Sequence, residues 1–345
     1  MDVPWHLPEE ERARQLPLVT DSATVTLVEA MDRSRNKEVL SAVRDQLDPL
    51  DGREWLGEFR DGSDVRWASL TDRCREAGAT ASRVDRIETL AERFERPYPS
   101  LLRLRVRPDV KVDFSPGQYI ALRVDGTPRA YSLANSPSED ELELCIRRVP
   151  GGRLTSDLFQ RVDEGDEVGV RGPNGEMVLE SPSDRDVVFL ATGTGVAPFK
   201  SMLDFTFEAD RDSFEGEPRD VWLFLGCAWE DDLPYREAFR ELDATHDHFH
   251  FVPTLTREPL LSDWEGATDY VQQVFVDHVA DDALAATALP DGLDRRDAET
   301  ATDARIDPAN VELYACGITA MVSTLVDAAL AVGVPADSMQ YEGFG

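Results

Sequence analysis

The chain has 345 residues, 41% of them hydrophobic, and a formal net charge of −32 from 68 acidic and 36 basic residues. That length allows two or three separate cores. The acidic balance excludes a nucleic-acid backbone as partner, because phosphate binding needs a cationic surface.

Only Lys37, Lys111 and Lys200 are lysines, and the acids are spread along the whole chain. Such a surface is best tolerated at molar salt, where the Debye length shrinks to about 3 Å, so a halophilic host is expected. No apolar run reaches the ~20 residues of a membrane span. Met1–Arg12 is acidic and unlike a secretory leader, which gives the expectation of a soluble cytoplasmic protein without a membrane span. Cys74, Cys145, Cys227 and Cys316 are far apart. They lack the spacing of a zinc site or an iron–sulfur cluster, and free thiols fit a reducing compartment.

Residues 1–80 read as a helical N-terminal extension. Val39, Leu40, Val43 and Leu47 form one apolar helical face, Asp51-Gly52 ends it, and a second helix is expected over Asp64–Ala77 with Gly78 at its end. Trp5, Trp55 and Trp67 can supply a small core. With no chemical motif here, the segment reads as a packing or oligomerisation appendage. After a link at 79–82 the pattern turns to strands, expected at Arg83–Leu90, Leu101–Val106, Gln118–Val124, Glu141–Arg148 and Glu167–Val170. Short strands between Pro/Gly turns predict a small antiparallel barrel over 81–182.

From 183 to 345 the rhythm is strand, helix, strand. Strands are expected at Asp186–Ala191, Val221–Cys227, His250–Leu255 and Val311–Ala315, with helices at Ala197–Phe207, Tyr235–Asp243, Tyr270–Val279 and Ala320–Val332. This alternation predicts a parallel α/β domain. Residues 281–310, rich in Ala, Asp and Thr, read as a solvated acidic insertion. The fold class is therefore α+β multidomain, a β-barrel followed by a parallel α/β domain.

Two stretches carry chemistry. In Thr192-Gly193-Thr194-Gly195-Val196-Ala197-Pro198 a buried strand runs through a glycine pair into a proline-started helix. Free N–H groups and the positive helix end there suit a phosphate, although an ordinary crossover in a parallel sheet has the same pattern. On the strand Arg129-Ala130-Tyr131-Ser132, the guanidinium can pair with a pyrophosphate, the phenol can pack on a ring, and the hydroxyl can bond a ring nitrogen. His246, His248 and His250 alternate, so a strand would put them on one face. A solvated strand entry is preferred to a metal site, because no carboxylate is spaced to complete one.

Arg129-Ala-Tyr-Ser, then Gly151-Gly152-Arg153-Leu154-Thr155-Ser156, then Gly193–Pro198 in that order resembles the ferredoxin–NADP reductase superfamily. The resemblance covers about Arg83 to Gly345. It implies an FAD-binding barrel, with Arg129 on the FAD pyrophosphate, Tyr131 along the isoalloxazine and Ser132 near its N5. It further implies that Gly152, Thr155 and Ser156 serve the FAD phosphates. Thr192, Gly193, Thr194, Gly195 and Pro198 become the phosphate loop for NAD(P)H. Cys316-Gly317 is similar to the family's turn beside the nicotinamide. Thr256, Arg257 and Tyr270 look like its adenosine and 2′-phosphate contacts. In the ending Tyr341-Glu342-Gly343-Phe344-Gly345, Phe344 would cover the flavin and Glu342 would bond near the nicotinamide.

Ser132, Cys316 and Glu342 are thus the implied catalytic positions. The implied activity is a flavin-dependent reductase that takes hydride from NADH or NADPH and passes electrons to a separate ferredoxin or flavodoxin. A reductase component of an oxygenase system, or a flavin-binding regulatory protein, would share these motifs. Arg236 could assist a 2′-phosphate, and Glu230, Asp231 and Asp232 would repel one if they faced it.

Overall fold

The computed structural model describes residues 7–126, 128–285, 287–298 and 302–344; Trp5 and Gly345 lie outside them. In chain order the main elements are α1 (Glu9–Gln15), β1 (Val19–Ala30), α2 (Asn36–Leu47), α3 (Trp67–Glu76), α4 (Ala81–Glu95), β2 (Leu101–Pro108), β3 (Tyr119–Arg123), β4 (Arg129–Ser132) and β5 (Leu142–Arg147). There follow α5 (Arg153–Arg161), β6 (Glu167–Asn174), β7 (Asp186–Thr192), α6 (Ala197–Glu208), β8 (Val221–Cys227), α7 (Arg236–Thr245), β9 (Phe249–Leu255), α8 (Val271–Asp277), β10 (Val311–Ile318), α9 (Thr319–Val332) and β11 (Met339–Phe344).

Six antiparallel strands in the order β4-β3-β6-β1-β2-β5 form the barrel sheet, and a Leu133–Leu144 bridge joins its two ends. Inward residues such as Val25, Leu104, Ile120, Leu144 and Val170 fill its core. The second sheet is parallel, in the order β9-β8-β7-β10-β11. Its strands are apolar on both faces because α6 and α7 cover one side and α8 and α9 the other. The order reverses between β7 and β10, and the carboxyl ends of strands at such a switch point form a ligand crevice.

Two expectations about the first hundred residues are corrected. Residues 1–80 include the twelve-residue strand β1, which pairs antiparallel with both β2 and β6. The helices α2, α3 and α4 are therefore an insertion between two neighbouring barrel strands, while α1 precedes the barrel. Arg83–Leu90, expected as a strand, lies inside α4, where Thr80 caps the N-terminus and Val84, Ile87, Leu90 and Ala91 are buried on one face. At the neck of the insertion, the Asp32 carboxylate accepts from Ser100 N (2.9 Å), Ser100 Oγ (2.6 Å) and Leu101 N (3.3 Å). The expected solvated insertion at 281–310 is also partly core, since Leu284 and Ile306 are buried against the second sheet.

The helical insertion is seated on the parallel domain. Its apolar core (Val43, Leu47, Leu70, Ile87 and Leu90) includes Trp229 from the segment after β8. A buried ionic cluster surrounds this contact. Arg35 reaches Glu258 at 2.7 Å, Arg93 reaches Asp231 at 2.6 Å, and Arg96 and Arg147 share Asp232 at 2.8 and 3.0 Å. Asp231 and Asp232 thus point inward to arginines and not to a ligand, which corrects the concern that they would repel one. Burial alone would raise the Asp232 pKa, but Arg147 and Arg96 outweigh it and hold the carboxyl below its ordinary value. Arg35 and its hydrogen bonds do the same for Glu258.

Removing one partner of a buried pair costs about 3–5 kcal/mol, because the remaining charge stays desolvated. Asp232→Ala should lose stability on that scale in denaturant unfolding, and a loss below about 1 kcal/mol would contradict a buried hub. Asp232 and Glu258 are held below their ordinary 3.8 and 4.5, so the stability they contribute is present above those values and lost as pH falls through the folded pKa. Asp231, raised by burial, acts with opposite sign. Fluorescence of buried Trp229 should accordingly report a loosened insertion below about pH 4, with no change between about pH 6 and 8.

Candidate functional site

A cleft of about 190 Å³ opens where the barrel meets the parallel domain, lined by Tyr131, Ser132, Arg147, Thr155, Thr194 and Phe344 among others. Four elements converge there. The strand β4 brings Tyr131 and Ser132, α5 brings Thr155, the turn after β7 brings Thr194, and β11 brings Phe344. Two aromatic side chains and a hydroxyl on facing walls suit a flat polar ring.

Ser132 is 5% exposed, and its Oγ finds no hydrogen-bond partner among the described residues. A buried hydroxyl left unpaired costs about 1–3 kcal/mol, so its place at the cleft wall fits a ligand that supplies the missing bond. Burial pushes the Tyr131 phenol up to about 12, which keeps it neutral. Arg129, at the start of β4, is exposed outside the cleft lining, and its Nη1 donates to the neighbouring Pro128 carbonyl at 3.0 Å. A guanidinium so placed can take an anionic group lying along the cleft mouth. Gly152 precedes α5, and the Thr155 hydroxyl, near Val149 N (3.2 Å) and the Gly152 carbonyl (3.3 Å), closes that turn while Ser156 stays partly exposed.

The glycine turn after β7 is short. Thr192 ends the strand, Gly193–Val196 forms one 3-10 turn, and Pro198 stands in the first turn of α6. Gly193 has φ +50°, a left-handed conformation that glycine adopts at no steric cost. At Gly195 a Cβ would lie 2.7 Å from the Cys316 carbonyl carbon and 2.8 Å from Gly317 Cα. At Gly317 a Cβ would meet Thr192 Oγ1 at 2.8 Å. The two turns therefore touch across the switch point: backbone atoms of Cys316 and Gly317 leave Gly195 no room for a side chain, and one at Gly317 would have to displace the side chains of Thr192 and Met321.

Cys316 is fully buried, and burial beside Glu342 raises its thiol far above neutrality, so it packs as a neutral group and not as a thiolate. In the β10–β11 pairing Cys316 stands opposite Glu342, and Ile318 opposite Phe344. Burial raises the Glu342 carboxyl. The structure thus groups Tyr131, Ser132, Thr155, Thr194 and Phe344 in one cleft, with Cys316, Gly317 and Glu342 on the adjoining strand ends.

Thr256, Arg257 and Tyr270 stand apart from the cleft, beyond the end of β9. Arg257 is paired with Glu92 of α4 at 3.1 Å, and Arg236 with Glu230 at 2.6 Å. Tyr270 precedes α8 and is 69% exposed. The histidines divide: His250 contacts Asp220 at 2.9 Å, while His246 and His248 lie with Asp212.

Arg147 and Cys145 also line the cleft and were not singled out in the sequence. The signal was present in the alternation Cys145, Arg147, Val149 along one strand face; what orients Arg147, the distant Asp232, was not.

Comparison with known proteins agrees with this geometry. Residues 99–179 match the oxidoreductase FAD-binding domain and residues 189–327 the oxidoreductase NAD-binding domain. The reductase component of propane 2-monooxygenase from Mycolicibacterium goodii is 30% identical, over 75% of this chain and 67% of that protein. The reductase component of phenol 2-monooxygenase from Pseudomonas sp. is 34% identical, over 52% of this chain and 50% of that protein. The chain spans about half the length of the first curated relatives it matches. Among solved structures, an Amycolatopsis cytochrome P450 reductase superposes with a TM-score of 0.62 at 22% identity, covering 96% of this chain and 71% of that one. A ferredoxin NADP+ reductase from Neisseria gonorrhoeae with bound FAD and NADP gives 0.53 at 21%, covering 71% and 93%. With an FAD-binding and an NAD-binding oxidoreductase domain in that order, the chain belongs to the ferredoxin–NADP reductase family.

Proposed function

We propose that this chain is an NAD(P)H-dependent flavoprotein reductase that feeds electrons to a separate carrier such as ferredoxin or flavodoxin. The observation that carries the reading is the buried Ser132 hydroxyl, without a hydrogen-bond partner among the described residues, in a cleft walled by Tyr131 and Phe344. Bound FAD supplies the chemistry, accepting a hydride and releasing electrons one at a time.

The residues position and tune. Tyr131 and Phe344 would flank the ring system, and Ser132 Oγ would donate to a ring nitrogen. Arg129 would neutralise the pyrophosphate, with Gly152, Thr155 and Ser156 at the start of α5 supplying N–H and hydroxyl groups. The second dinucleotide would lay its phosphates on Thr192, Gly193, Thr194 and Gly195 at the start of α6, ahead of Pro198. Glu342, opposite Cys316, would face the nicotinamide end, and Cys316 and Gly317 would leave room for that ring. The helical insertion, roughly 31–100, reads as a third unit that braces the other two.

Cofactor choice follows from charge. A 2′-phosphate needs a free cation, yet Arg257 is engaged by Glu92 and Arg236 by Glu230. NADH is therefore the preferred donor. A second reading, a reductase component delivering electrons to an oxygenase, is favoured by the names of the relatives. NADH-driven reduction of ferricyanide at molar salt tests the common activity. Turnover dependent on bound FAD is expected, and a flavin-loaded protein without turnover would contradict it.

Two variants test the assignments. Arg129→Ala should purify folded but with little FAD; full flavin occupancy would refute its role. Glu92→Gln should lower the KM for NADPH by about two- to fivefold, the scale of one exposed ion pair, and leave the KM for NADH unchanged. Wild-type turnover with NADPH equal to that with NADH would contradict the charge argument.

A further inference from the structure

Far from the cleft, at the amino-terminal end of the parallel sheet, three metal-ligating side chains meet. His246 and His248 stand two residues apart in the turn between α7 and β9, which Phe249 N closes on the His246 carbonyl at 2.9 Å, and Asp212 projects from the connection between α6 and β8. One ligand atom from each of the three lies within 4.8 Å of the others, and all three residues are half-buried. His248 Nε2 already stands 2.8 Å from Asp212 Oδ2. The carboxylate missing from the local sequence is therefore supplied by the fold, 34 residues upstream of His246.

The surroundings favour a cation with imidazole affinity. Phe207 forms an apolar floor, with its ring centroid 4.4 Å from that of His246 and 6.0 Å from that of His248. Such a shell restrains water and stiffens the ligands. Asp210 and Asp247 neighbour the ligands in the chain, and the net charge of −32 draws cations to the surface. Two imidazoles and one carboxylate suit zinc, cobalt or nickel and not magnesium or calcium, which prefer all-oxygen sites. Ligand atoms of a tetrahedral zinc site stand about 3.4 Å apart, a contraction within reach of side-chain rotation in half-buried residues.

We propose that Asp212, His246 and His248 form a three-ligand divalent transition-metal site, completed by water, that ties the α6–β8 connection to the start of β9. It lies at the opposite end of the strands from Thr192, Gly317 and Phe344, so the metal serves as a structural clip. His250 takes no part, since its Nε2 is held by Asp220 at 2.9 Å and its ring lies 4.1 Å from that of Trp222.

The test is calorimetric titration of zinc into the FAD-loaded full chain, after chelator dialysis, in molar potassium chloride to suppress diffuse binding. One zinc per chain is expected, with a Tm that rises on loading. His246→Ala/His248→Ala should lose more than about 100-fold in affinity and the Tm response, while flavin content and NADH-driven ferricyanide reduction stay unchanged. Asp212→Asn, which keeps the shape of the side chain, should weaken binding with the fold intact. Cobalt should give a tetrahedral visible spectrum in the wild type only. No stoichiometric zinc in the wild type, or equal binding in the double variant, would overturn the proposal.

Discussion

The backbone contact between Gly195 and the Cys316–Gly317 turn is the constraint on which the site depends. With a Cβ on Gly195 placed 2.7 Å from the Cys316 carbonyl carbon, the phosphate turn and the nicotinamide-end turn meet only because Gly195 lacks a side chain at that point. This contact closes the switch point between β7 and β10. It fixes where α6 starts, and so where its free N–H groups aim. On the far side of β10, β11 pairs with it in parallel, which delivers Glu342 opposite Cys316 and Phe344 to the cleft. Phe344 at the end of β11 and Ser132 on the barrel wall thereby line the same cleft.

The ionic cluster under the helical insertion is the second determinant. Arg147 lines the cleft, and its guanidinium is held by Asp232, which also holds Arg96 at the end of α4. The insertion is therefore joined through two residues to the cleft. Buried ion pairs often stabilise no more than apolar residues of the same shape would, so their contribution here is orientation. They keep Arg147 beside the site and seat the insertion on Trp229, with Glu92 beside Arg257.

Much of this was legible in the sequence. The parallel strands show as apolar runs, and the glycine turns, Arg129-Ala-Tyr-Ser and Cys316-Gly317 are local signals whose order carries the family. What was not legible is long-range. The partners of β1 in the barrel, β2 and β6, follow some seventy residues later or more, beyond the helical insertion, so its alternation Ala23, Val25, Leu27 was absorbed into a helical reading. In α4 the buried positions Val84, Ile87 and Leu90 repeat every third residue, a helical spacing misread as strand. The inward pairing of Asp231 and Asp232 was hidden because their arginine partners lie about 85 to 196 residues away. Asp212 escaped notice beside His246 and His248 for the same reason.

Anaerobic mixing of the FAD-loaded chain with NADH is the most direct measurement. Bleaching of the flavin's visible absorbance within seconds, at one NADH per flavin, is the expected result. A flavin that stays oxidised in excess NADH and NADPH, yet is bleached by dithionite, would contradict a reductase and leave only a flavin-binding protein.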